Sequence, residues 1–413
     1  MKGISVSNSL NSDYIQNRSV TDRLIEILSI LLISSFYIFE SQSYGKYVLF
    51  GISVLILLIT AGKNSGRIRV KLDPFHYWIG GFALFCLASA VWATNRSEAI
   101  SKGVTIIELL ICMSCMYVYY REYGSAEQLL TVIMWTGYVV MAYSVLFIGV
   151  SETIRVITTS GRILTAFSNR NGVAIILMYS LLITLYRWLF RGFKALYLLS
   201  IPELVFILLI GSRKAFVGVI IGIALLFLYK IVSERQFKTL GRTVILLAAG
   251  YFIIRILSDF NIFSFVSHRM ESIFNYLSGT GYVDNSTVVR NQMRAAGLQV
   301  FRANPILGIG FGNSYLYGIG DYTYFHDNFV EILSSGGILG FIIYYGMYVY
   351  ILFKLLKNHV FKRSDMMLIL IILILTLVMD YGSVSYYSKS TYAFFVLFFL
   401  SAIEIRRDKS YAE

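Results

Sequence analysis

Three small groups of residues in this chain have the types and spacing for chemistry. Arg213 and Lys214 stand between two apolar runs that leave almost no loop between them. Arg290 and Arg294 lie four apart, on one face of a segment, 286–303, whose pattern predicts an amphipathic helix. His326, Asp327 and Asn328 mark the place where a long polar stretch gives way to another apolar run. A guanidinium is permanently charged and grips anionic oxygens with two parallel hydrogen bonds. A positioned imidazole or carboxylate accepts a proton from a reacting hydroxyl. The chemistry on offer is stabilisation of a departing anion together with proton removal.

The elements that carry these groups follow from composition. Of 413 residues, 57% are hydrophobic and 14% charged, with mean hydropathy +0.68. Soluble domains carry about 25% charged residues, so a soluble protein is excluded. Three prolines and three cysteines exclude collagenous, linker-rich and disulfide-stapled classes. Apolar runs fall at 24–39, 44–61, 75–93, 103–120, 129–149, 172–190, 196–211, 215–229, 243–257, 329–353, 366–382 and 391–405. Lipid-facing backbone must satisfy its hydrogen bonds internally. The fold class expected is therefore all-α: a polytopic membrane protein of about 12 transmembrane helices, with one large, partly helical external loop.

The net charge of +13 is read as topology, since Lys and Arg gather in cytoplasmic loops; nucleic acid is not an expected partner. With the N-terminus inside, the basic stretches 63–71, 187–194, 230–242, 354–363 and 406–409 all fall on the inner face. The expected division is a cytoplasmic tail 1–21, spans 1–9 over 22–257, an external loop 258–327, spans 10–12 over 328–405 and a cytoplasmic tail 406–413. The N-terminal tail lacks a cleavable signal pattern, so its first apolar run is expected to remain as an anchor. Arg213, Lys214, Arg255, Glu40, Lys46, Glu108 and Asp380 then fall near outer ends of spans. An intramembrane charge costs at least ~2.5–3.5 kcal/mol, so such residues face a wet cavity or a partner.

Within the external loop, Asn304-Pro305 should stop the amphipathic helix. A glycine-rich turn, 305–312, follows it, and then come Tyr315, Tyr317, Tyr322 and Tyr324. Two readings stand for these tyrosines: rings stacking on sugar faces, or an interfacial aromatic belt. Asn328 to Glu331 has the spacing of a helix N-cap with its N3 carboxylate partner. Cys112-x-x-Cys115 lies inside a span and reads as packing, and the four histidines show no metal spacing.

Several of these motifs, in this order, resemble the O-antigen ligase and polymerase superfamily. Gly211-Ser-Arg-Lys-Ala215 opens a span as in that family. Arg162-x4-Phe167-x-Asn169-x-Asn171-x2-Ala174 is similar to its Arg-to-Asn/Asn segment. Arg290 with Asn304-Pro-Ile-Leu-Gly308-Ile-Gly310 resembles the signature of its external loop. His326-Asp-Asn-Phe-Val-Glu331 with Gly337-Ile-Leu-Gly340 resembles the motif opening its next span. Ser89-Ala-Val-Trp92 with Asn95 is a weaker likeness.

The resemblance implies a metal-independent, cofactor-free, inverting glycosyltransferase in a bacterial plasma membrane, with N- and C-termini inside and the active site outside. Donor and acceptor would be oligosaccharides on undecaprenyl diphosphate, with membrane lipids around them and a polysaccharide chain-length regulator as a further partner. The family's functional residues map to Arg213, Arg290 and His326. Two arginines from different elements would clamp the diphosphate as the glycosyl–oxygen bond breaks, and His326 would serve as base or acceptor-orienting group, with Asp327 in reserve. Arg162 would help place the sugar or a phosphate; Asn171, Lys214, Arg294, Tyr315 and Tyr322 complete the expected substrate site. Lys214-Ala215 after Ser-Arg, and Asp327 after the histidine where ligases more often have Asn, lean toward capsule and O-antigen repeat-unit polymerases. The alternatives are a ligase acting on lipid A–core and, from another class, a lipid-linked-glycan flippase or transporter, which repeat-related halves would mark; no such repeat is seen.

Overall fold

The computed structural model describes residues 19–40, 42–63, 65–67, 70–158, 169–192, 196–234, 285–318, 324–357 and 360–410. These form α1 (Val20–Ile38), α2 (Gly45–Lys63), α3 (Pro74–Ala88), α4 (Arg96–Tyr123), α5 (Ala126–Ile148), α6 (Val150–Thr158), α7 (Arg170–Arg191), α8 (Leu196–Ile210), α9 (Arg213–Glu234), α10 (Asn285–Ala303), α11 (Asn328–Lys357), α12 (Ser364–Asp380) and α13 (Lys389–Ser410). No strand occurs among the described residues. Seven of these helices are long and apolar enough to cross a membrane: α2, α3 with its 3-10 extension, α4, α5, α7, α9 and α11. Parts of α8 and α13 are shorter apolar helices. The protein is an all-α polytopic membrane protein. Eleven of the twelve expected runs coincide with described helices; the run 243–257 and Arg255 lie outside the described residues.

Helix starts are written locally. Ser19 with Asp22, and Ser125 with Gln128, form capping boxes on α1 and α5, while Asn95 caps α4 and Asn169 caps α7. Asp73 accepts from the Phe75 N–H ahead of α3, with Pro74 in the first turn, where its missing N–H costs nothing.

In lipid the helices gain little from hiding apolar surface from one another, so close packing must hold them. The most enclosed long helix is α7, packed against α5, α8 and α9. The approach of α9 depends on small residues: a Cβ at Gly218 would stand 2.2 Å from Met178 Sδ, and one at Gly222 would stand 2.5 Å from Leu182 Cδ1. Large apolar side chains such as Phe50, Leu58, Leu146, Phe147, Val349 and Phe353 point outward, an extent of exposed apolar surface that marks a lipid-facing wall.

Described residues of four basic stretches, among them Lys63, Arg191, Lys230 and Arg363, share one end of the bundle. There Lys63 bonds Asp22, Arg121 Nη1 lies 3.2 Å from Asp73, Arg191 lies 3.1 Å from Glu127 and Tyr229 donates to the Phe361 carbonyl. The starts of α4, α7, α9 and α11 and the end of α12 lie at the other end, with Arg213, Lys214 and His326.

Candidate active site

The site end is assembled around a break in α11. Gly337 has φ +61 inside that helix, and a Cβ there would lie 2.2 Å from the Ile306 carbonyl oxygen. Only glycine accepts that conformation and that contact cheaply. The glycine-rich turn enters the gap. Ile309 N–H donates to the Ser334 carbonyl and Gly310 N–H to that of Ser335, both at 2.9 Å, while Ile338 N–H donates to the Pro305 carbonyl at 2.9 Å. The break in the helix is thus re-satisfied by loop backbone, as buried irregular backbone at membrane depth requires. Gly308, at φ +66, would place a Cβ 2.5 Å from Ser335 backbone atoms.

The Ser89–Asn95 stretch holds the same turn from the other side. Phe311 N–H donates to Ser89 Oγ at 3.1 Å and Trp92 Nε1 to the Leu307 carbonyl at 3.2 Å. Asn95 and Asn313 exchange hydrogen bonds, 2.7 Å from the Asn95 N–H and 3.1 Å to its carbonyl, and Asn95 Nδ2 donates to the Tyr315 hydroxyl at 2.7 Å. The weakest of the sequence motifs is therefore the dock of the glycine-rich turn.

As expected, the amphipathic helix exists, as α10, and ends before Asn304. Met293 and Val300 are buried on it, and Gly297 lets it close on α11, where a Cβ would meet Val330 Cγ1 at 2.4 Å. Phe325, Val330, Val300 and Ile309 form a small apolar cluster there. Arg290 and Arg294 share that helical face, so docking α10 brings both to the start of α11.

Four chain segments meet at this point. Lys214, next to Arg213 on the first turn of α9, donates from Nζ to the Gly382 carbonyl. A Cβ at Gly382 would stand 3.9 Å from the His326 carbonyl oxygen. Arg294 donates to the Tyr381 hydroxyl, sits 4.2 Å over that ring, and has Nε 3.8 Å from Asp327. The Nε of Arg294 is buried and has no hydrogen-bond partner among the described residues. Asn171, at the start of α7, accepts from Ser212 Oγ at 3.0 Å, which holds the Gly211–Ser212 turn against α7. Arg213, Lys214, Arg290, Arg294, Asp327 and His326 thus share one end, with Asn171 behind Ser212. Arg162 and Tyr322 lie outside the described residues. Tyr315 stands in the neighbouring cavity wall, and Tyr317 is exposed.

His326 occupies a left-handed backbone conformation, φ +55, of the kind that costs about 1–3 kcal/mol and is held only by its surroundings. Glu331 supplies part of that hold, accepting from Phe325 N–H at 3.0 Å and from Ser314 Oγ. Burial, reinforced by the nearby charges of Arg290 and Lys214, pulls His326 from 6.5 down to about 4. Its imidazole is neutral at physiological pH. Burial pushes Asp327 above its usual value, against the Val330 N–H, the Arg294 charge, the Phe329 N–H and the Lys214 charge.

One expectation is corrected here. Asn328 does not cap α11 with Glu331 as its partner. Asp327 is the cap, accepting from Phe329 N–H at 3.0 Å and Val330 N–H at 3.2 Å, because α11 begins one residue earlier than that pattern requires. Asn328 is buried instead. Its Nδ2 donates to Tyr345 and to Asp380, and its Oδ1 accepts from Ser385 and Tyr386 N–H groups at 2.9 and 3.0 Å. Asp380 also accepts from Tyr345 and Ser385 hydroxyls. This pair fixes the turn carrying Tyr381 and Gly382. The sequence offered Asp380 as a charge near a span end, and nothing in it paired that charge with Asn328.

Cys112 and Cys115 are free and buried within α4. Among the described residues no group of His, Cys, Asp and Glu is arranged to hold a metal ion.

An all-α membrane bundle with a cationic, histidine-bearing site at one end is the class these observations define. The family model described as O-antigen ligase matches residues 195–345, which supports the O-antigen ligase/polymerase superfamily for this chain. That stretch includes Arg213, Arg290, Arg294 and His326. No curated protein matches the chain.

Proposed function

We propose that the chain is a polysaccharide repeat-unit polymerase, transferring a glycan from undecaprenyl diphosphate to a lipid-linked acceptor unit at the outer face of a bacterial plasma membrane. The observation that carries this reading is the meeting of Lys214 and Arg290 around His326, with Arg213 adjoining Lys214 and Arg294 one turn from Arg290. Cations gathered in this way give a polyanion several points of attachment, and a lipid diphosphate is the polyanion that an activated glycan carries outside the cell.

In this mechanism the acceptor hydroxyl attacks the anomeric carbon as the carbon–oxygen bond to the diphosphate breaks. The electron pair leaves with the diphosphate oxygen, and Arg213, Lys214 and Arg290 stabilise the charge that develops there. The proton passes to the neutral imidazole of His326. Configuration inverts, because attack and departure occur on opposite faces of the sugar. Protein cations supply the positive charge, so the reading asks for no metal ion or cofactor.

The family match, described as a ligase, favours a second reading in which lipid A–core is the acceptor. Surface glycan from gene-deleted cells separates the two on a gel. A ladder collapsing to one unit supports the polymerase; polymer stranded on the carrier lipid supports the ligase; substrate retained inside would mean a flippase. Normal long-chain polymer in both Arg213→Ala and Arg290→Ala cells, with protein levels intact, would remove the mechanism.

A further inference from the structure

Next to Tyr324, with neither Lys214 nor Arg290 in its wall, lies a cavity of about 260 Å3. Tyr315 and Tyr324 line it from the external loop, Tyr386 and Tyr387 from the turn before α13, and Glu98 and Lys102 from the first turns of α4. The last four residues lie outside the stretch matched by the family model. The ring of Tyr324 stands 4.2 Å from that of His326, centroid to centroid, so the imidazole is one ring away from the cavity, while Lys214 and Arg290 also act on it.

Size and lining restrict what fits. Pockets for drug-sized ligands run to ~300–1,000 Å3, so this one suits a single sugar ring rather than an oligosaccharide. Tyrosine rings present apolar faces to the C–H side of a pyranose. Glu98 accepts hydroxyl protons. Lys102, whose Nζ lies 4.2 Å from the Tyr387 ring centroid, donates to a hydroxyl or ring substituent. The Tyr315 oxygen already accepts from Asn95, which leaves its O–H to donate. Burial pushes the Tyr387 phenol up to about 12, so it too remains a donor. An acyl chain would meet too many polar groups here, and a phosphate would meet the carboxylate of Glu98.

We infer that this cavity is the acceptor subsite, holding the one pyranose ring whose hydroxyl is glycosylated, with Glu98, Lys102 and Tyr387 deciding which sugar is accepted. The inference rests on the proposed transferase reading. A hydroxyl held here sits near His326: its proton goes to the imidazole, its oxygen bonds the anomeric carbon, and the diphosphate departs toward the arginines.

The test uses the full chain in nanodiscs and a panel of methyl pyranosides: hexoses, 6-deoxyhexoses, N-acetylhexosamines and hexuronates. Saturation-transfer NMR should show at least one class binding through its ring protons. Glu98→Gln and Lys102→Met should each weaken that binding tenfold or more and leave lipid-linked single units in cells. Tyr387→Leu should do the same while Tyr387→Phe retains most binding, a pair that decides the matter if the charge variants fail to accumulate. Absence of transfer from every glycoside overturns the inference, as does long polymer in variants that have lost the glycoside. Arg290→Ala separates this from the parent reading. Stalled Arg290→Ala cells without glycoside binding sink the cavity alone; normal polymer in those cells sinks the clamp, whatever the cavity binds.

Discussion

The two ends of the bundle treat charge in opposite ways. At the end bearing the N-terminus of α1, cations alternate with carboxylates. Asp73 accepts from Tyr117 at 2.6 Å, lies 3.2 Å from Arg121 and 3.3 Å from His76, and caps α3 as well. Burial alone would push that carboxyl up, but the His76 and Tyr117 bonds and the Arg121 charge outweigh it and hold it below its usual range. At the other end Arg290 and Lys214 act together on His326, while Asp327 and Asp380 act on Lys214 and Asp327 also lies 3.8 Å from Arg294. The same carboxylates hold backbone in place: Asp327 caps a helix and Asp380 anchors a turn, while Glu331 holds Ser314 and Phe325. Alternating charges close a structure, whereas gathered cations give a polyanion several points of attachment. Both ends use buried ionisable groups; at the second, Lys214 and Arg290 act on one imidazole, and the proposed function gives that charge its use.

This contrast can be broken at several points. The largest effect is expected from His326→Ala, which should lower polymer formation from purified lipid-linked units by about 10²- to 10⁴-fold without loss of folded protein; an undiminished rate would remove the imidazole from the chemistry. Arg290→Ala and Arg213→Ala should each reduce the same rate by roughly 10²- to 10³-fold. Arg290→Lys should restore only part of it, since the bidentate grip is lost. A full rate in Arg290→Lys would reduce the site to simple point charge.

The opposite end should answer in stability instead. Asp73→Asn removes the charge partner of Arg121 and should cost about 1–3 kcal/mol in detergent-solubilised unfolding, with polymer length unchanged at permissive temperature. Loss of polymer with stability intact would erase the distinction between the ends.

The smallest expected signal is a titration. The folded value of His326 lies below its ordinary 6.5, so the neutral form is favoured by the fold. As pH falls from 6.5 through about 4, an unfolded chain takes up this proton first, and stability should decline over that window. Inorganic pyrophosphate, by offsetting Arg290 and Lys214, should raise the value by about one unit or more. Histidine-labelled NMR, assigned with His326→Gln, would show it; an unmoved titration would place the anion elsewhere.

Much of this was legible in the chain before folding, and the reasons are local. Ser19, Asn95, Ser125 and Asn169 cap helices because a short polar side chain satisfies a backbone N–H two or three residues away. The apolar runs became helices because any lipid-crossing segment must pair its own backbone. Arg290 and Arg294 could be placed on one helical face from spacing alone. The cap of α11 was misread by one residue, since Asp327 and Asn328 are equally good capping types and only the path of the preceding loop chooses between them.

The remainder depended on partners far apart in sequence. Asn328 with Asp380, Asn95 with Asn313, and Glu98 and Lys102 with Tyr386 and Tyr387 meet only after the helices pack, and no local periodicity announces them. Gly337 looked like a family motif; that it is a gap filled by residues 305–310 is visible only when both backbones occupy the same space. Hydropathy, capping and helical spacing act within a few residues and so are written in order along the chain. Burial, charge gathering and cavity shape are sums over distant segments, and it took the packed bundle to decide them.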